Sequence, residues 1–230
     1  MKIIAISDTH LTAQRELTEK LLACHDTGEE FVLVHAGDAL NYGSLEEAHE
    51  FLFWFAQLPF KYKIFVPGNH DHCFDLASSR YKKITPQEVA AQYPSVRVLI
   101  NEVVEIEGMR FAGVCAIPDL RNWAFYATDL QRKRIFDVLP PVDVLINHAP
   151  FAPFKCAYFV YKGCEYARAY AVANSVQAYI CGHIHEDAGY SRHSDVHCYN
   201  AAVLDEQYKG CREPLILEVL GKEKTCKHTS

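Results

Sequence analysis

Five short stretches of the chain set acid, amide or imidazole side chains in the same local context. Asp8-Thr9-His10 follows the apolar run Ile3–Ile6, and Gly37-Asp38 follows Phe31–Val34 and His35. Gly68-Asn69-His70-Asp71 follows Lys63–Val66, His148 follows Val144–Asn147, and Gly182-His183-Ile184-His185 follows Ala178–Cys181. Each run has the length and continuous hydrophobicity of a strand buried on both faces. Asp, Asn or His therefore stands at the carboxyl end of five separate strands. One such residue is ordinarily a turn former or a satisfied surface group. In open α/β sheets, however, ligands collect at the carboxyl ends of the strands, and five strand ends of one kind predict a ligand site assembled from distant parts of the chain. His25, His49, His72, His193, His197 and His228 lie outside this pattern and are read as ordinary histidines.

The segments between these runs are expected to hold them in place. Leu11–His25 carries Leu17, Leu21 and Leu22 at helical spacing, and Ser44 with Glu47 forms a capping box leading into Leu45, Ala48, Leu52, Phe55 and Ala56. Thr85, Pro86 and Glu88 start a short helix, with proline at its first position. Cys164–Asn174 is a further helix. Alternation of strand and helix predicts a parallel sheet covered by helices. Val96–Ile100, Val103–Ile106 and Arg110–Val114 are added strands, the last two a hairpin turning near Gly108, and Val196–Asn200 and Leu215–Val219 close the series. The expected class is α/β, a layered sandwich with a two-sheet β core flanked by helices. Residues 1–220 are expected to form a single domain, and the polar, aperiodic 221–230 a flexible tail.

Composition narrows the function. Half of the 230 residues are hydrophobic, enough for a large core without disulfides. The nine cysteines are odd in number and never spaced as CxxC, which predicts reduced thiols and no zinc ribbon. A net charge of -6 offers no general attraction to a nucleic-acid backbone, and the basic triplets Arg132-Lys133-Arg134 and Arg80, Lys82, Lys83 are expected to be solvated faces. No apolar run approaches the ~20 residues of a membrane helix, and a first strand starting at Lys2 leaves no place for a signal peptide. A cytoplasmic location is expected.

In order and interval, D-x-H, G-D, G-N-H-D, a lone His after a strand and G-H-x-H resemble the calcineurin-like metallophosphoesterases. The resemblance runs from Asp8 to His185 and on through Asn200-Ala201. Gly68 to Asp75 and the Asn-Ala pair are most similar to the small single-domain branch related to class III cyclic nucleotide phosphodiesterases. That family implies a calcineurin-like phosphoesterase fold and two metal ions. Asp8, His10 and His185 would hold one metal, Asn69, His148 and His183 the other, and Asp38 would bridge them. Imidazole, carboxylate and amide donors without thiolate suit Mn²⁺, Fe²⁺, Zn²⁺ or Co²⁺ better than Ca²⁺ or Mg²⁺. With two carboxylates and a bridging hydroxide the centre would keep a charge of about +1, which attracts phosphate.

The same likeness makes His70 a group beside the phosphate that stabilises charge or protonates the leaving oxygen, with Asp71 orienting its ring. Where the family's protein phosphatases have Asp-Arg-Gly, this chain has Asn41-Tyr42-Gly43. The expected function is hydrolysis of a small-molecule phosphoester, diesters favoured, since no dedicated cation is evident for a doubly charged terminal phosphate. A phosphomonoesterase or nucleotidase and a non-catalytic interaction scaffold of the same fold are the alternatives. The aromatic stretch 151–161, with Phe151, Phe154, Tyr158, Phe159 and Tyr161, is expected either to contact substrate or to pack into the core or a homodimer interface, and Trp123, Phe125 and Tyr126 to line the same side.

Overall fold

A computed structural model describes residues 1–151, 154–155, 160–161 and 163–220. Two mixed sheets, flanked by helices, form an α/β fold. The first sheet contains β1 (Lys2–Ile6), β2 (Phe31–His35), β3 (Tyr62–Phe65), β4 (Val96–Val98) and β13 (Leu215–Glu218), in the order β13-β1-β2-β3-β4. β1 to β4 run parallel, and β13 pairs antiparallel with β1. Between them α1 (Gln14–His25), α2 (Leu45–Gln57) and α3 (Pro86–Gln92) make the crossovers. The second sheet has the order β11-β12-β10-β7-β6-β5, from β5 (Glu102–Ile106), β6 (Met109–Val114), β7 (Val144–Asn147), β10 (Ala178–Cys181), β11 (Gly189–His193) and β12 (Val196–Asn200). Its four inner strands are parallel and its two edge strands antiparallel. A two-residue ladder joins β8 (Phe154–Lys155) to β9 (Val160–Tyr161).

Register brings the predicted strand ends level. Ile6 lies opposite His35, and His35 opposite Phe65, in the first sheet, while Ile146 lies opposite Ile180 in the second. The sheets meet where an isolated bridge joins Ser7 to Ala202 and the Val203 amide donates to the Ser7 carbonyl at 3.0 Å. They approach so closely that a β-carbon on Gly113 would lie 2.4 Å from Leu99 Cβ and 2.8 Å from Val66 Cγ2. β1, β2, β3, β7 and β10 thus deliver their carboxyl ends to one place.

Helix starts follow the expected chemistry. Ser44 and Glu47 form both halves of a capping box at α2, and Thr85 and Glu88 do so at α3. Leu17 and Leu21 of α1 are buried, but Leu22 is exposed. Besides the β8–β9 ladder, two longer elements go beyond the expected set. α4 (Asp129–Val138), capped by Thr128 and Gln131, contains the first basic triplet. The triplet is not a uniform solvated face: Arg132 is buried, donates to the Ala127 carbonyl and Asp129, and lies 5.7 Å over the Tyr166 ring, while Lys133 pairs with Asp137 at the surface. The edge strand β11 shows no clean alternation of burial, and periodicity could not reveal it. The seven described cysteines are free thiols. Residues 221–230, the expected tail, lie outside the described residues, as do Tyr158 and Phe159 of the aromatic stretch.

Candidate metal centre

Past the strand ends the loops remain zipped together. Asp8 N–H donates to Gly37 O at 2.9 Å, His10 N–H to Asp38 O at 3.2 Å and Val66 N–H to His35 O at 3.0 Å, extending the first sheet into the site. In the second, Gly182 N–H donates to His148 O at 3.1 Å. Asp8, His10, Asp38 and His183 take positive φ values of 55°, 44°, 54° and 73°. Non-glycine residues rarely hold this conformation unless their surroundings impose it, and it concentrates at functional sites.

Two groups of side chains converge there. One donor atom each from Asp8, His10 and His185 lie within 4.8 Å of one another, as do those from Asp38, His148 and His183. Three of the histidines share one mode of anchoring. Nδ1–H of His148 donates to Ala36 O at 2.8 Å, that of His10 to Leu40 O at 3.0 Å and that of His185 to Asp205 O at 2.8 Å. Each bond fixes the tautomer and turns the Nε2 lone pair inward. His10 Nε2, His148 Nε2 and Asn69 Oδ1 are buried without a hydrogen-bond partner, an arrangement that costs free energy unless a ligand completes it. Acceptors left facing one another in this way fit divalent cations. All seven expected ligand positions lie on the loops that meet here, six of them in the two groups and Asn69 outside them.

Electrostatics supply the same argument from charge. Burial works against the Asp8 and Asp38 carboxylates, but the His148 imidazole, with His185 at Asp8 and His70 at Asp38, holds both well below the usual carboxylate range. Burial also disfavours a charged His148, yet Asp38 and Asp8 outweigh it and raise this group to about 9. Its Nε2 lies 3.2 Å from Asp38 Oδ2. Burial drives His183 down to about 4 and lowers His10, leaving both as neutral bases.

Asp71 does something other than orient His70. Its Oδ2 accepts the amides of Gly68 at 2.7 Å and Asp38 at 3.0 Å, and its Oδ1 that of Leu40 at 3.0 Å. It therefore clamps the Asp38 loop to the Asn69 loop. Burial and the Asp38 carboxylate push it up to about 8, against the pull of the amides. His70 instead donates Nδ1–H to Asn41 O at 2.6 Å, leaving Nε2 4.0 Å from Asp38 Oδ2. Asn41-Tyr42-Gly43 thereby braces the His70 loop: a β-carbon on Gly43, whose φ is +81°, would lie 2.3 Å from His70 O.

The turn that carries Tyr208 was not legible from motif spacing. The Tyr208 ring lies 4.7 Å from His10 and 5.1 Å from His185, on a turn whose Asp205 carbonyl anchors His185. Asn200 Nδ2–H donates to Ile184 O at 2.8 Å, bracing the His183–His185 loop. Phe151 packs edge-on against Tyr179 in the core, Phe125 is buried, and Trp123 stands beside His70 with ring centroids 4.5 Å apart.

Comparison with known proteins agrees with this geometry. A family model described as calcineurin-like phosphoesterase matches residues 1–187. The human metallophosphoesterase domain-containing protein 1 is 27% identical over 214 residues, which span 82% of this chain and 64% of that protein. A UPF0046 protein of Caenorhabditis elegans is 26% identical over 95% of this chain and 75% of its own length. The fold also matches TT1561 of Thermus thermophilus, with a TM-score of 0.57 at 13% identity over 86% of this chain and 88% of the other. A NAD nucleotidase of Haemophilus influenzae matches with a TM-score of 0.50 at 12% identity, over 95% of this chain and 49% of that one.

Proposed function

This chain belongs to the calcineurin-like phosphoesterase family, and we propose that it hydrolyses small-molecule phosphodiesters with two divalent metal ions, residues 1–220 forming the catalytic domain. The observation that carries this reading is the pair of three-residue donor groups, in which His10 Nε2 and His148 Nε2 are buried without a hydrogen-bond partner. Asp8, His10 and His185 would hold one metal, Asn69, His148 and His183 the other, and Asp38 would serve both. Manganese is expected to support activity better than magnesium, because imidazole nitrogens dominate the donor set. When bound, such a pair supplies Lewis acidity to the phosphoryl oxygens and an activated water as nucleophile.

The chain's own residues supply the rest. His70 is fixed through Nδ1–H to Asn41 O, so Nε2 is the atom that can pass a proton to the leaving oxygen. With a side chain 17% exposed, it is open to substrate yet aimed by the loop beneath it. Asp71 keeps Asp38 and Asn69 in register by gripping the backbone of both loops. The stretch after Asp38 places a backbone carbonyl, rather than a guanidinium, beside His70, which favours a singly charged diester.

The test is turnover of manganese-reconstituted protein on bis(p-nitrophenyl) phosphate and p-nitrophenyl phosphate, which share a leaving group. The proposal expects the higher kcat/KM for the diester. A higher value for the monoester would instead support a phosphomonoesterase.

A further inference from the structure

We propose that Trp123 is the stacking platform of a subsite that takes a planar aromatic group of the substrate beside His70; this rests on the phosphoesterase reading and specifies which esters the site prefers. Four rings form a row along the rim of the centre. Tyr208 lies 4.7 Å from His10, His10 lies 4.7 Å from His70, and His70 lies 4.5 Å from Trp123. The two ends of the row are open to solvent, Tyr208 at 42% and Trp123 at 39% exposure, while His10 between them is buried and His70 only partly exposed.

Trp123 is held at this place by its backbone. The amide of Ala124 donates to the carbonyl of Asn69 at 3.2 Å, that of Trp123 to Leu120 O at 3.0 Å and that of Phe125 to Asp75 Oδ2 at 2.9 Å. Ala124 and Phe125 are buried, so the loop is anchored on both sides of a side chain that itself turns outward. Beneath the indole lies His72, nearly parallel at 20° with centroids 6.0 Å apart. Arg80 Nη1 reaches His72 Nε2 at 3.4 Å, and Lys83 Nζ donates to the His72 carbonyl at 3.0 Å. An indole stacked against His72, whose ring and carbonyl hold Arg80 and Lys83, and adjacent to the residue placed to protonate a leaving group, suits a phosphoester whose leaving group or base is a flat ring.

Only two tryptophans are present, and Trp54 is tied to Thr18 Oγ1 at 2.8 Å. A Trp54→Phe variant therefore reports Trp123 emission alone. Phenyl phosphate and adenosine 5′-monophosphate are expected to quench it saturably, and ethyl phosphate is not; comparing the two quenchers tells a phenyl group from a nucleobase. In calorimetry on the manganese-loaded protein, Trp123→Ala should bind the aromatic probes about ten-fold more weakly, the scale of one stacking contact, with ethyl phosphate affinity and metal content unchanged. This second measurement needs no change at Trp54. Unchanged affinity of Trp123→Ala for both aromatic probes would overturn the platform. Chelator-sensitive diester hydrolysis that ignores aromatic groups removes the subsite and keeps the phosphoesterase. Aromatic binding that depends on Trp123, in a protein that hydrolyses no phosphoester, does the reverse.

Discussion

Replacing Gly182 with alanine puts a methyl group against the Asp8 carboxylate. The new β-carbon would stand 2.0 Å from Ser7 Oγ, 2.2 Å from Asp8 Oδ2 and 2.8 Å from Ser7 Cβ, the first two more than an ångström inside ordinary contact at ~3.5 Å. Neither neighbour can step aside freely. Ser7 Oγ donates to Gly37 O at 3.1 Å, and the Asp8 carboxylate accepts the His183 amide at 3.0 and 3.1 Å with His185 Nε2 at 3.3 Å; both residues are fully buried. Overpacking of this kind costs about 1–3 kcal/mol. Displacing a group that orients metal ligands typically lowers metal affinity about 10–100-fold. Urea denaturation of the metal-free protein measures the first effect, and manganese titration measures the second. Adding Ser7→Gly removes two of the three clashes and should restore part of the stability, while the Asp8 contact keeps the affinity low. Wild-type stability and manganese affinity in Gly182→Ala would refute the placement of Asp8 at the metal.

Asp71→Ala strands three buried amides, each worth about 1–3 kcal/mol when unsatisfied, so urea denaturation should show a loss of several kcal/mol and Asp71→Asn a smaller one. His70→Ala should slow alkyl diesters by ~10²–10⁴-fold and nitrophenyl diesters much less, since the latter leaving group needs no proton; kcat on a matched pair reads this out. The pH dependence of the metal-free protein follows from the centre's charges. His148 is raised to about 9 in the fold, so its contribution to stability is complete below about 6.5 and disappears as pH rises through about 9. Asp8 and Asp38 are lowered, so theirs is present above about 4 and is lost as pH falls. Manganese must displace the His148 proton, and calorimetry in two buffers should show proton release with affinity rising between pH 6 and about 8.

Much of the architecture was legible because the strands concerned are buried on both faces and read as continuous apolar runs: Ile3–Ile6, Val32–Val34 and Val144–Ile146 have essentially no exposed surface. Capping chemistry marked α2 and α3 for the same reason, since Ser44 with Glu47 and Thr85 with Glu88 satisfy amides within a few residues of each other. α4 carried the same signal in Thr128 and Gln131, but its ten residues include only a thin apolar face, and burial of Arg132 depends on Tyr166 from a different helix. At the site, residue types and strand-end positions could be read, whereas the partners of each ring could not. The carbonyls that anchor His148, His10 and His185 come from loops 112, 30 and 20 residues away. Asp71 illustrates the limit: one residue from His70 in sequence, it faces the backbone of the Asp38 loop in space.

The most direct measurement is titration of chelator-stripped protein with Mn²⁺, following bound metal and bis(p-nitrophenyl) phosphate hydrolysis together. Two ions shared by Asp38 predict no turnover in the stripped protein, activity that saturates at two equivalents per chain, and loss of both binding and activity in Asp38→Asn. Full activity without metal, or saturation at one equivalent with Asp38→Asn unimpaired, would contradict the dinuclear site.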